Sequence, residues 1–284
     1  MNQRSLTPRE IVASIEATGQ HLKTPCGDAN MVWHVWGDGY PVVFLHGGMG
    51  SWMHWIKNIP VLRHKLMMLV PDMPGHMDSA MPPDPYTPET VAAVLVKGIE
   101  RIIGSSRPYS AVGFSFGAAI AGHVARLGGH RLVNLVLVSP GGLGLPRGKT
   151  ADLQKWRHLA TDGERRAAHR KNLQITMISD SSHVDDLAVF IHSESTERAM
   201  PVSAPISLGN TLQGCLPQVK ATVAGIWGAQ DPASSPYMAE RRDFFRRIQP
   251  TAPIAVLEGA SHWVQYEAAE RFNSVLLEFL TYGR

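Results

Sequence analysis

Tyr109-Ser110-Ala111-Val112-Gly113-Phe114-Ser115-Phe116-Gly117-Ala118-Ala119 passes from a short apolar run straight into a stretch of small residues. The run at 109–112 suits a strand buried on both faces. Ala118, Ala119, Ala121 and Gly122 suit a helix that packs closely. Between them lies the pattern G-x-S-x-G. A serine on such a sharp strand-to-helix turn is held in a strained conformation, and only small neighbours let the two backbone segments pass. The turn lifts its hydroxyl to the carboxyl end of the sheet, where the start of the helix favours negative charge. Ser115 is therefore the expected nucleophile, and the plain alternative is a structural turn serine.

Similar apolar runs recur at 42–45, 67–70, 135–138, 223–226 and 254–257. Helix-length stretches separate them, at 88–103, 117–127, 234–247 and 264–281. Strands alternating with helices imply an α/β fold with a parallel sheet built from right-handed crossovers. In the last helix, Phe272, Val275, Leu276, Phe279 and Leu280 repeat at helical spacing and should bury one stripe. Ahead of the first run, Thr7 and Pro8 read as the cap and first residue of a helix with Ile11 and Ile15 inward. Residues 20–25 and 31–36 read as a half-exposed edge hairpin around Gly27-Asp28-Ala29-Asn30, with Trp33 and Val35 alternating with His34. From Gly142 to Pro217 no buried-strand run occurs, a gap far longer than an ordinary connection. Its helical patterns and many charges predict an inserted helical cap at 143–217, on a core domain formed by 1–142 and 218–284.

A hydroxyl needs a base, and the base needs an acid to orient it. After the run at 223–226 comes Trp227-Gly228-Ala229-Gln230-Asp231-Pro232, and after the last run Glu258-Gly259-Ala260-Ser261-His262-Trp263. Parallel strands bring these ends to one edge of the sheet, where open α/β folds bind ligands. Asp231 and His262 are the expected acid and base. Separately, each has a bland reading, as a helix cap and a loop histidine. His46-Gly47-Gly48 follows the run at 42–45, and its glycines can turn backbone N–H groups toward an oxyanion. The expected donors are the N–H groups of Gly48 and Phe116. His46 is read as a brace for its loop and Glu258 as a solvated carboxylate. The histidines show no metal-ligand spacing, so no metal and no cofactor are expected.

These motifs resemble the α/β-hydrolase superfamily: His46-Gly47-Gly48, Asp72-Met73-Pro74-Gly75, Gly113 to Gly117, and the Asp231 and His262 segments, in that order. The resemblance runs from about residue 20 to the end of the chain. It implies a mostly parallel eight-stranded sheet flanked by helices, with a helical cap after the sixth strand. A serine at 115 argues against the dehalogenases and epoxide hydrolases of that superfamily, which carry an aspartate there. Ser261-His262-Trp263-Val264-Gln265-Tyr266-Glu267 with Phe272-Asn273 is similar to the meta-cleavage-product hydrolases, which break a carbon–carbon bond in dienoic keto acids. The chain departs from that group at Phe114 and Phe116, where Asn and Met are usual. It departs again at Phe190-Ile191-His192-Ser193, where the group has a cap arginine for the substrate carboxylate. His192 or Arg198 would have to stand in. The Asp72 motif also continues His76-Met77-Asp78-Ser79, where relatives commonly have a glycine after the histidine position.

The expected function is hydrolysis of a small apolar or aromatic ester through an acyl-enzyme on Ser115. Gly47, Trp52, Phe114, His192, Arg198 and Trp263 are expected around the substrate, with Trp55 and Phe116 adding to an apolar pocket. The alternatives are hydrolysis of a 2-hydroxy-6-oxo-dienoate and, from another class, a catalytically silent ligand-binding module. Composition fits a small-molecule enzyme: 44% hydrophobic and 18% charged residues are ordinary for a globular chain, and a net charge of +3 is spread without a basic arm for nucleic acid. No apolar run reaches the roughly 18 residues that cross a bilayer, and Met1 to Pro8 lacks the apolar core of a secretory signal. Cys26 and Cys215 match no metal or redox spacing. A soluble, cytoplasmic protein with no membrane partner is expected, with a homodimer through the cap or an edge strand left open.

Overall fold

The computed structural model describes residues 6–281. Met1 to Ser5, part of the stretch read as lacking a signal, lie outside them. Eight strands form one sheet: β1 Gln20–Cys26, β2 Ala29–Trp36, β3 Tyr40–Leu45, β4 Leu66–Pro71, β5 Tyr109–Phe114, β6 Leu132–Val138, β7 Thr222–Gly228 and β8 Ile254–Leu257, in the order β1-β2-β4-β3-β5-β6-β7-β8. The β1–β2 and β2–β4 pairs are antiparallel, and every later pair is parallel. The helices are α1 Pro8–Glu16, α2 Ile59–Leu62, α3 Pro88–Ile103, α4 Phe116–Gly128, α5 Asp162–Thr176, α6 Asp186–Glu197, α7 Ser203–Leu208, α8 Thr211–Cys215, α9 Met238–Ile248, α10 Val264–Glu267 and α11 Ala269–Thr281.

The continuous apolar strands are explained by burial on both faces. Successive side chains point to opposite sides of a strand. Val43 and Leu45 therefore join one core, with Val91 and Leu95 of α3, Ile120 of α4 and Phe245 of α9. Val42 and Phe44 join the other, with Phe272, Leu276 and Phe279 of α11. Helices thus cover both faces, and the carboxyl ends of β5, β7 and β8 open at one edge.

Three local readings need correction. The hairpin turn is tighter than expected, with Cys26 opposite Ala29, and of its two strands β1 alone lies at the sheet edge. His34 is buried rather than half exposed, because α1 and the Trp52 ring close over it. The stretch at 234–247 begins as a 3₁₀ turn, Ser235–Tyr237, before α9, and the stretch at 264–281 breaks at Ala268 into α10 and α11. Just before that break, Glu267 turns its carboxylate inward to the hydrogen bonds described below.

Between β6 and β7 the chain carries α5 to α8. Leu173 of α5 and Ala188, Val189 and Ile191 of α6 join the core on the α11 side. Ile206 and Leu212, of α7 and α8, join the opposite core against α4, where a methyl group at Gly122 would collide with Leu212. The insertion straddles the edge of the sheet where the strands end.

Candidate active site

Ser115 joins β5 to α4 at φ 53° and ψ −111°, a backbone conformation that costs roughly 1–3 kcal/mol for a non-glycine residue. Its surroundings hold it there. The Ser115 N–H donates to Val138 O at 2.9 Å, and Ser115 O accepts from Gly141 N at 3.0 Å and Ala118 N at 3.1 Å. A Cβ at Gly113 would come within 2.4 Å of Gly117 O, and one at Gly117 within 2.3 Å of His46 O. Both glycines are therefore required by backbone passing backbone. The serine stays partly open while Phe114 and Phe116 are buried.

The structure brings Ser115, His262 and Asp231 together. Asp231 follows β7 and is fully buried, and His262 follows β8. His262 Nδ1 lies 2.9 Å from Asp231 Oδ2, and His262 Nε2 lies 3.0 Å from Ser115 Oγ. An ionised carboxylate only accepts, so Nδ1 carries the proton and Nε2 is left to accept from the serine hydroxyl. Burial works to raise the Asp231 pKa. The charge and N–H of His262, the Ala233 N–H at 3.0 Å and the Ser234 hydroxyl outweigh it and hold the group below its usual value. Asp231 thus stays ionised and keeps the imidazole in one tautomer.

The Phe116 N–H opens α4 and, as a first helical donor, has no partner within the helix. Gly48 lies alongside: a Cβ built there would be 3.5 Å from Phe116 Cβ and 2.5 Å from Ser203 Oγ. The two expected oxyanion donors are neighbours, and Ser203 is a hydroxyl beside them that sequence reasoning missed. His46 braces its loop as expected. Its Nδ1–H donates to Gly47 O at 2.8 Å, and Nε2 accepts from Met73 N at 2.9 Å. Glu258 is exposed.

A cavity of about 590 Å³ reaches Gly48, Met49 and His54 and is walled by Trp156, Met177 and His192 among others. Small-ligand pockets have this size. His192 belongs to it as expected. His54 was missed: Gly47 N–H donates to its Nδ1 at 3.1 Å, which puts its proton on Nε2. His169 was missed as well, its Nδ1 lying 2.9 Å from His192 Nδ1. Burial, and then neighbouring positive groups, pushes these histidines down, to about 3 for His54 and His192 and about 4 for His169. These three histidines are therefore neutral groups.

Other expected pocket residues fall elsewhere. Trp52 stacks on His34 at 4.9 Å, beneath α1. Its 3₁₀ turn, Trp52–Trp55, presents His54 to the cavity instead. Arg198 pairs with Asp78 and lines a separate pocket with Arg9 and Trp52. Trp55 packs in the core against Phe44 and Phe272. Phe116 stacks on His76. Phe114 backs the His262 and His54 rings at 5.1 and 5.5 Å. Gly47 uses its N–H on His54, and Trp263 donates from Nε1 to His54 O at 3.0 Å. These last three hold the site from behind.

Glu267 ties the insertion to the histidine loop. Its carboxylate accepts from Ser179 N, Ser179 Oγ and Asp180 N on one oxygen and from Ser261 N on the other. Trp263 N adds a bond to Met177 O at 2.8 Å. Glu267→Ala removes this buried carboxylate and leaves the buried Ser261 N–H unpaired, which should lower stability by about 1–3 kcal/mol in urea unfolding, with a larger proportional change in kcat than in KM.

The alpha/beta hydrolase family profile matches residues 42–275, and the chain belongs to that family. It is 27% identical over 253 residues to the dihydrolipoyllysine-residue acetyltransferase component of an acetoin cleaving system from Pseudomonas putida, covering 85% of this chain and 64% of that relative. The chain thus spans less than two thirds of that relative's length. It is 26% identical over 264 residues to a 2-hydroxy-6-oxononadienedioate/2-hydroxy-6-oxononatrienedioate hydrolase from Comamonas testosteroni, covering 87% and 90% of the two chains. Among solved structures, the esterase RhEst1 from Rhodococcus sp. ECU1013 superposes with a TM-score of 0.73 at 18% identity, covering 93% of this chain and 99% of that one. Among the described residues no helix is long and apolar enough to cross a membrane. Cys26 and Cys215 are buried free thiols, which burial pushes up to about 11.

Proposed function

We propose that this protein is a serine hydrolase acting on a small apolar or aromatic ester, with Ser115, His262 and Asp231 as its triad. The supporting observation is the hydrogen-bonded chain from Asp231 through His262 to a serine on a strained, partly open turn. His262 takes the Ser115 proton as Oγ attacks the ester carbonyl. The Gly48 and Phe116 N–H groups receive the oxyanion, and the alcohol leaves with the proton from His262. Water then attacks the acyl-enzyme by the same route. The insertion at 143–217 acts as a cap, and the cavity under α5 and α6 holds the acyl or alcohol group. Met49, Trp156 and Met177 with the neutral histidines favour an uncharged substrate.

The second reading is carbon–carbon hydrolysis of a dienoate, and one feature favours it. Arg157 and Lys155 border the cavity. The Arg157 guanidinium stacks on Trp156 and donates to Thr196 O at 3.1 Å. Arg157, rather than the neutral His192 or the distant Arg198, is the guanidinium at this cavity. Steady-state kinetics on an aryl ester and a 2-hydroxy-6-oxo-dienoate separate the readings. The ester reading predicts higher kcat/KM for the ester and an ester KM unchanged within about twofold in Arg157→Leu. A dienoate preferred by the wild type, with KM raised about tenfold or more in Arg157→Leu, would overturn it; a charge-assisted hydrogen bond is worth that much.

A further inference from the structure

His21 and His34 stand directly opposite each other on the antiparallel β1–β2 pair. Their rings meet edge to face, with centroids 4.7 Å apart. Glu16, the last residue of α1, places Oε1 3.6 Å from His21 Nε2 and 3.7 Å from His34 Nδ1, and one ligand atom from each of the three residues lies within 4.8 Å of the others. Around a zinc ion bound at 2.0–2.1 Å, neighbouring tetrahedral ligands stand about 3.3 Å apart, so small side-chain rotations close the set.

Two independent features point this group at a cation. His34 is buried, and its Nδ1 has no hydrogen-bond partner. Its other nitrogen, Nε2, lies 3.3 Å from Asp72 Oδ2, while Asp72 Oδ1 is held by Trp52 N at 3.0 Å. A carboxylate that takes one ring N–H leaves the opposite nitrogen as a lone pair, and metal-binding histidines are oriented in this way. The remaining coordination positions face solvent, since His21 is half exposed and Glu16 partly so.

We propose that Glu16, His21 and His34 form a site for a divalent transition metal of the zinc class, with Asp72 orienting His34. Two imidazoles and one carboxylate suit that class. The ion would pin α1 to the β1–β2 hairpin, away from Ser115. The histidines are far apart in sequence, so the pairing depends on strand register and no spacing motif reveals it.

The test is titration of the chelator-treated full chain with Zn²⁺ by calorimetry, and with Co²⁺ followed by its visible ligand-field bands. The expected result is one site whose affinity falls at least tenfold in His21→Ala and in Glu16→Gln, with loss of four- or five-coordinate Co²⁺ bands. Both side chains are partly exposed, so both variants should fold, and unchanged circular dichroism checks this. No binding at about 100 µM metal, a millimolar-range affinity expected of a chance site, would overturn the proposal. So would binding that survives both substitutions.

Discussion

Ser115→Ala is expected to lower kcat by roughly 10⁵–10⁶-fold on any substrate the wild type turns over, leaving KM within a few fold. Removing a triad nucleophile has that size of effect, because the residual rate comes from binding and the oxyanion donors alone. The folded state should be nearly unaffected. Alanine keeps the positive φ and the same Cβ, and the backbone bonds to Val138, Gly141 and Ala118 do not involve the hydroxyl. Asp231→Asn should cost about 10⁴-fold, because an amide at that position favours the wrong histidine tautomer. It removes the charge that His262 meets at 2.9 Å while retaining the buried volume. Steady-state kinetics with circular dichroism of each variant checks both. A Ser115→Ala protein that retains a tenth of the activity would place the chemistry elsewhere.

Stability should fall steeply as the solution is acidified from pH 7 to pH 5, by about 4–6 kcal/mol. An unfolded histidine takes up its proton near pH 6.5. In the folded chain, burial holds His54 and His192 at about 3 and His169 at about 4. Between those limits the unfolded chain binds more protons, so unfolding becomes easier as the pH drops. The contribution is fully present above about pH 7 and is lost as the pH falls toward the folded values. Each histidine contributes a slope of about 1.4 kcal/mol per pH unit in that window, or about 2 kcal/mol by pH 5. The three together rival the whole stability of an ordinary domain, 5–15 kcal/mol. Urea unfolding at a series of pH values measures the slope, and His54→Gln should reduce it by about one proton. A flat profile from pH 7 to pH 5 would mean that these histidines are charged or solvated in the folded state.

The parts of the site that the sequence made legible are those carried by local backbone. Ser115 announces itself because the sharp turn demands Gly113 and Gly117 in the same short stretch. Asp231 and His262 follow apolar runs, so strand ends alone predict that they meet. The cavity wall was not legible in this way. His54 and His192 line it from a 3₁₀ turn and a helix of the insertion, with His169 behind His192 on a second helix, and nothing in their spacing ties one to another. Trp52 and Arg198 were expected at the substrate because an aromatic and a cation suit one. Trp52 instead lies beneath α1 on His34, and Arg198 is held by Asp78. Arg157 was passed over as one cation among many in a charged segment. Glu267 looked like part of a continuous helix, and only the tertiary fold shows its carboxylate bridging two loops.

An activated Ser115 should react with a fluorescent fluorophosphonate. Such a probe forms a stable bond only with a serine oxygen that has a base at hand and oxyanion donors in place. The folded wild type should label once, on the peptide containing Ser115, and Ser115→Ala should not label at all. A folded wild type that does not label, or labels equally in the alanine variant, would contradict the triad and favour a silent binding module on the same fold.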